Sequence, residues 1–212
     1  MGSTALARLD ARRPQWLLCV LLAVVGIEGL FAAAEAAGLS LAPGSAGARA
    51  AFELAAGAGL GALAGRWAVR LPLRIRMVAM LHAAFAWLAA SFLLAGLAHW
   101  HDAAPGGPWH AASLHAFTMG FLGSILLAML SRIVCAQTGR TVVADDLLWR
   151  LFWLLQAAVA LRLGASLVAP FDARWHWPLT AAAAGLWSLL WLIWTGRYVP
   201  WLTRPNPARR PG

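Results

Sequence analysis

The stretch "LHAFTMGFLGSILLAMLSRIVCAQTGR", residues 114–140, decides the fold. It belongs to an apolar run over 109–131 that carries His115 near its start and meets Arg132 at its end. About 20 such residues suffice for a helix to cross the hydrocarbon of a bilayer. A chain crossing lipid must satisfy its own backbone, which makes the run helical. Five more runs share this character: 16–37, 50–69, 77–98, 147–169 and 177–196. Together they predict an all-α, integral membrane six-helix bundle, a single transmembrane domain over residues 1–212.

Composition agrees. The 212 residues are 61% hydrophobic and 12% charged, with mean hydropathy +0.69. A soluble domain of this length needs more charge to cover its surface. The 13 tryptophans suit a membrane protein, whose interfaces favour amphipathic rings. Net charge is +9, all the formal positive charge coming from arginine. These arginines sit in short loops between apolar runs, so the basic balance reads as topology and excludes nucleic acid as the expected partner. Cys19 and Cys135 lie in unrelated segments, and no CxxC or CxxCH occurs.

Arginine placement predicts orientation. Arg8, Arg12 and Arg13 precede the first run; Arg66, Arg70, Arg74 and Arg76 follow the second. Arg132, Arg140 and Arg150 follow the fourth, and Arg197, Arg204, Arg209 and Arg210 follow the sixth. The opposite loops hold Arg49 and Arg174, and Arg162 falls inside the fifth run. By the positive-inside rule both termini are cytoplasmic. The first run is long for the ~7–15-residue core of a signal peptide, which favours a retained span. Gly57, Gly61 and Gly65 recur on one helical face, with Gly120 and Ser124 a shorter version, and predict close packing within one bundle.

Ionisable residues inside spans are costly and mark candidate sites. Here they are Glu28, Glu35, Glu53, His82, His115 and Arg162. At ~100° per residue His115 shares a face with Thr118, Met119, Leu122, Leu126 and Met129. It lies in the outer part of its span, where Glu35, Glu53 or Arg162 could support it. His82 shares a face with Ala86, Ala89, Leu93 and Gly96, small neighbours that point to an adjoining helix. The loop "LAHWHDAAPGGPWHAASLH" adds His99, His101, Asp102 and His110, and the next outer loop holds Asp172 and His176. Imidazole suits copper, zinc and iron, making His115, His110, His99 and His101 the candidate metal ligands. His82 and His115 differ in expected depth by more than ~10 Å. If both bind cofactors, they serve two sites or each finds a partner elsewhere, instead of being two ligands of one haem. No nucleophilic triad, phosphate loop or dinucleotide fingerprint occurs, and the chain is not expected to be an enzyme.

Three stretches carry a resemblance. "PLRIRMVAMLHAAFAWLAASFLLAGLA" (72–98) sets a histidine before a small-aromatic-Ala-Trp run. The opening stretch begins His-Ala-x-Thr-x-Gly at His115 and runs to an arginine and a closing Thr-Gly-Arg. "RYVPWLTRPNPARRPG" (197–212) looks like a family C-terminal tail. Together they resemble the NnrS family, and its C-terminal half in particular. The resemblance implies a multi-pass protein of the bacterial inner membrane, associated with haem and/or copper and linked to the response to nitric oxide. It carries over His115 as first cofactor ligand and His82 as second. Gln137 stands where the family has a histidine before Thr-Gly-Arg. Arg132 and Arg140 would meet lipid phosphates or haem propionates. The competing expectation is a cofactor-free membrane module: a partner subunit, accessory protein or half-transporter that assembles with the lipid bilayer as homo-oligomer or with a partner membrane subunit.

Overall fold

The computed structural model describes residues 15–38, 45–70, 72–101, 107–140 and 144–203. Arg8, Arg12, Arg13, Asp102, Arg204, Arg209 and Arg210 lie outside the described residues, as does the side chain of Glu35. The described residues are all-helical, with no strand. The chain divides into two units, Met1–Ala46 and Gly47–Gly212.

The first unit holds α1, Gln15–Ala36. Its apolar part is Cys19–Phe31. Gly38 follows at φ 64°, a left-handed conformation that stops the helix. Val20, Leu22, Val25, Ile27 and Leu30 stand exposed.

The second unit contains the remaining helices. They are α2 (Ser45–Arg70, its first two residues in the other unit), α3 (Arg76–His101), α4 (Pro108–Gln137), α5 (Asp146–Val168) and α6 (His176–Leu202). A short 3-10 turn, Ala173–Trp175, leads into α6. Among the described residues α3, α4, α5 and α6 with its leading turn are long and apolar enough to cross a membrane. All six expected runs are therefore helical, and four meet the length and composition of a span. α2 falls short because Gly and Ala dominate it and Arg49, Glu53, Arg66 and Arg70 interrupt it.

Lipid offers helices no hydrophobic reason to associate, so close contact and hydrogen bonds must hold them. The small face of α2 supplies the first. A methyl group added at Gly57 would meet the Leu93 backbone nitrogen at 2.8 Å, and one at Gly96 would meet Leu54 Cγ at 2.6 Å. α2 and α3 thus interlock through glycines on both sides, and this part of the small-residue face is filled from within the bundle. Gly65, in the same repeat, faces open space.

Hydrogen bonds supply the second. Trp87 on α3 donates to Gln156 Oε1 on α5 at 2.7 Å, and Gln156 donates to Ser124 Oγ on α4 at 3.1 Å. Three helices are tied by one amide. Trp194 on α6 donates to Ser131 Oγ on α4 at 2.9 Å. Around these bonds Met80, Leu127, Leu148, Leu155, Val159 and Leu190 fill the core. The tryptophans are not confined to interfaces. Trp187, Trp191, Trp194, Tyr198 and Trp201 form a ladder along α6, with successive rings 5.0 to 5.8 Å apart.

One end of the bundle is rich in arginine. Arg76 pairs with Asp146 at 2.7 Å, and Arg197 pairs with Asp145. Asp145 also caps α5 by accepting from Leu148 N at 2.9 Å. Here the Thr138-Gly139-Arg140 tail finds its role. Thr138 Oγ1 bonds back to Val134 O at 2.7 Å. Gly139 turns left-handed at φ 67°, which costs a residue without Cβ little. The Arg140 amide then reaches Cys135 O at 2.9 Å, a six-to-one bond that closes α4. The Arg140 guanidinium lies 4.0 Å from the Trp201 ring centroid. The motif is a helix stop pinned to α6.

Candidate functional site

α4 is not a regular helix. After the α-helical turns Pro108–His115 it widens into a π-helix over Ala116–Leu122, then returns to α over Gly123–Gln137. Such insertions are rare and concentrate at functional sites. Trp87 lies against Gly120 in this segment, where an added methyl would meet its ring at 2.7 Å. The wider turn resets the helical face. Thr118 and Met119 stay with His115, but Leu122 and Leu126 turn outward and are exposed. The regular 100° spacing placed those two leucines with His115, and the π-turn is the reason they are not.

Beside this turn lies a cavity of about 410 Å³, lined by His115, Thr118 and Met119 from α4, Arg162 from α5, and Thr180, Ala183, Ala184 and Trp187 from α6. The volume is that of a small-molecule site, ~300–1,000 Å³. Its walls are mainly apolar, with an imidazole, a guanidinium and hydroxyls converging on it. Arg162 donates to Ser166 Oγ at 3.1 Å, one turn along its own helix. Thr118 donates to Leu114 O at 2.8 Å. Thr180 differs: its Oγ1 is buried and has no hydrogen-bond partner.

A second polar group sits at the histidine-rich end. Glu53 on α2 is fully buried. It accepts from Arg49 Nε at 3.1 Å and faces His99 Nδ1 at 2.8 Å. The same His99 nitrogen also lies 3.0 Å from Ala95 O, which makes it the protonated one in the neutral ring. The His110 ring stands edge-on to His99, with centroids 5.1 Å apart, and His101 stacks on Trp109 at 5.2 Å. Among the described residues no three His, Cys, Asp or Glu side chains gather as a metal-ion site. Beyond these, His176 Nδ1 donates to Ala165 O at 3.0 Å. Asp172 caps the 3-10 turn and holds Arg174 through both carboxylate oxygens at 3.0 Å. That pairing keeps the Asp172 carboxyl below its usual range.

The histidines, Glu53 and Arg162 singled out from sequence now have a place. His115 and Arg162 share the cavity, as their depth in the spans suggested. Glu53 does not support His115; it is committed to Arg49 and His99. His82 lines no part of that cavity, and its Nδ1 is buried without a partner. His99 and His110 meet, while His101 turns to a tryptophan. Cys19 and Cys135 are both free thiols. Thr180, Trp187 and the Trp87–Gln156–Ser124 chain escaped sequence reasoning. Gln156 carried a signal: it is the one amide inside the fifth apolar run.

Residues 2–206, nearly the whole chain, match the family model described as NnrS protein. Searches of curated proteins and of solved structures returned no match.

Proposed function

The chain belongs to the NnrS family, and from that premise we propose a multi-pass protein of the bacterial inner membrane that acts in the response to nitric oxide and holds haem in the His115 cavity. The carrying observation is the company His115 keeps. An imidazole suits iron, and the Met119 thioether beside it is a soft neighbour. Trp187, Ala183 and Ala184 offer an apolar wall to a macrocycle. A bare copper ion fits this cavity less well, because only His115 and the Met119 thioether would hold it, beside the Arg162 cation. When bound, haem supplies an iron able to take up a diatomic ligand or an electron. The residues of the chain would bind and orient it: His115 would hold the iron through its imidazole, and the apolar lining would pack against the macrocycle. The unpartnered Nδ1 of His82 is the candidate for a second, separate site.

The arginine-rich end faces the cytoplasm on this reading, with both termini, following the positive-inside rule. The histidine-rich end and the cavity then belong to the outer half.

The test is purification in detergent after expression with haem and copper supplied. Absorption spectra with and without dithionite, together with bound iron and copper, give the result. A Soret band that His115→Ala removes is expected. No Soret band, or one indifferent to His115→Ala, refutes the haem site.

A further inference from the structure

Arg162 poses a question of charge. Four described arginines are partly buried: Arg49, Arg76, Arg162 and Arg197. Three face a carboxylate: Arg49 has Glu53, Arg76 has Asp146 and Arg197 has Asp145. Arg162 has the Ser166 hydroxyl and no carboxylate among the described residues. It lies inside the span Asp146–Val168, as Arg197 lies inside Ala173–Leu202, but of these two only Arg197 has a carboxylate to balance it, and an unbalanced cation in a span is costly. Its side chain lines the cavity, and so does Thr180, whose buried hydroxyl lacks a partner. A threonine inside a helix ordinarily bonds back to its own backbone, as Thr118 and Thr138 do here. Thr180 does not.

We infer that the cavity is a receptor for a carboxylate carried on an apolar body, with Arg162 as its counter-ion and Thr180 as its hydroxyl donor. The two observations are independent and meet in one space. A guanidinium matches a carboxylate in charge and in planar fork geometry. Thr180 offers one further O–H to the same group. The carboxylate occupies a small part of about 410 Å³, and Met119, Ala183, Ala184 and Trp187 face the remainder. Those walls call for hydrocarbon or a flat ring system, which rules against a small hydrated anion. Two sources present this chemistry: a haem propionate, and a long-chain fatty acid from the surrounding lipid. The inference goes beyond the haem reading and stands without it.

The experiment uses the full chain in a neutral detergent and four probes. Haemin is compared with its dimethyl ester, and palmitate with hexadecanol. Each pair differs in the carboxylate alone. We expect haemin or palmitate to bind about ten-fold or more tightly than its neutral counterpart, the scale of a charged hydrogen bond. Arg162→Gln should erase that preference, and Arg162→Lys should retain part of it. Thr180→Val should weaken the acid and leave the neutral probe unchanged. Haemin preference identifies a propionate; palmitate preference without haemin binding identifies a fatty acid and refutes the haem reading alone. Equal binding of acid and neutral probe by the wild-type chain, or no binding of either acid, overturns the inference. This comparison needs no variant to fold.

Discussion

Gly57 and Gly65 belong to one repeat on α2, eight residues apart, yet the structure separates them sharply. An alanine methyl at Gly57 would sit 2.8 Å from the Leu93 backbone nitrogen and 2.8 Å from its Cγ. A backbone atom cannot swing aside, so α2 and α3 must part. Overpacking of this kind costs ~1–3 kcal/mol. Replacing a mid-helix glycine by alanine returns ~1 kcal/mol of helix propensity. Gly57→Ala should therefore lose up to ~2 kcal/mol net. Gly65 meets nothing within 4 Å, so Gly65→Ala should gain ~1 kcal/mol. The difference between them is the overpacking cost alone. At ~2–4 °C per kcal/mol for a chain of this size, their midpoints should differ by about 2–12 °C. Thermal unfolding in detergent, followed by circular dichroism with a dispersity check by gel filtration, reads it out. Equal shifts for the two variants, or Gly57→Ala the more stable, would refute the α2–α3 interlock. Gly96→Ala, aimed at Leu54 from the facing helix, should behave as Gly57→Ala does.

Gln156→Leu removes both bonds of the Trp87–Gln156–Ser124 chain, and interhelical bonds in membrane proteins average ~0.6 kcal/mol each, so about 1 kcal/mol should be lost. A double-mutant cycle with Trp87→Phe should show coupling between the two positions; strict additivity would mean that the bond does not form. His82→Leu should leave the ligand-free protein as stable or raise its midpoint, because an orphaned buried nitrogen costs ~1–3 kcal/mol. A marked fall in midpoint would show that Nδ1 has a partner after all. For Asp172, pairing with Arg174 lowers the folded-state pKa, so its contribution is present above the ordinary carboxylate pKa and is lost as pH falls through the depressed value. Its NMR titration should fall below that of Asp172 in an Arg174→Ala variant; coincident curves would dismiss the pairing.

Helices were legible where lipid leaves the backbone no alternative, and residues such as Leu127, Leu155 and Leu190 then had to fill the space between them. What a helix does locally was harder to read. The π-turn of α4 shows no signature in Ala116–Leu122, the segment where Trp87 of another helix lies over Gly120. Leu122 and Leu126 were misplaced because a regular 100° spacing does not hold through that turn. Thr138-Gly139-Arg140 stood out as a pattern, yet its helix-stopping role follows from a glycine dihedral and one six-to-one bond. For the charged residues the limit was pairing. Depth along a span brought His115 and Arg162 together, because both lie in the same stretch of their helices. Depth could not choose among partners at one level, so Glu53 stayed open to His115 until the geometry gave it to His99. Thr180 carried no sequence signal at all, since a helical hydroxyl is normally content with its own backbone. Its unsatisfied hydroxyl and the uncompensated charge of Arg162 are both deficits, visible only when every partner is in place. Both face the same cavity, and a carboxylate on an apolar body would answer the two together.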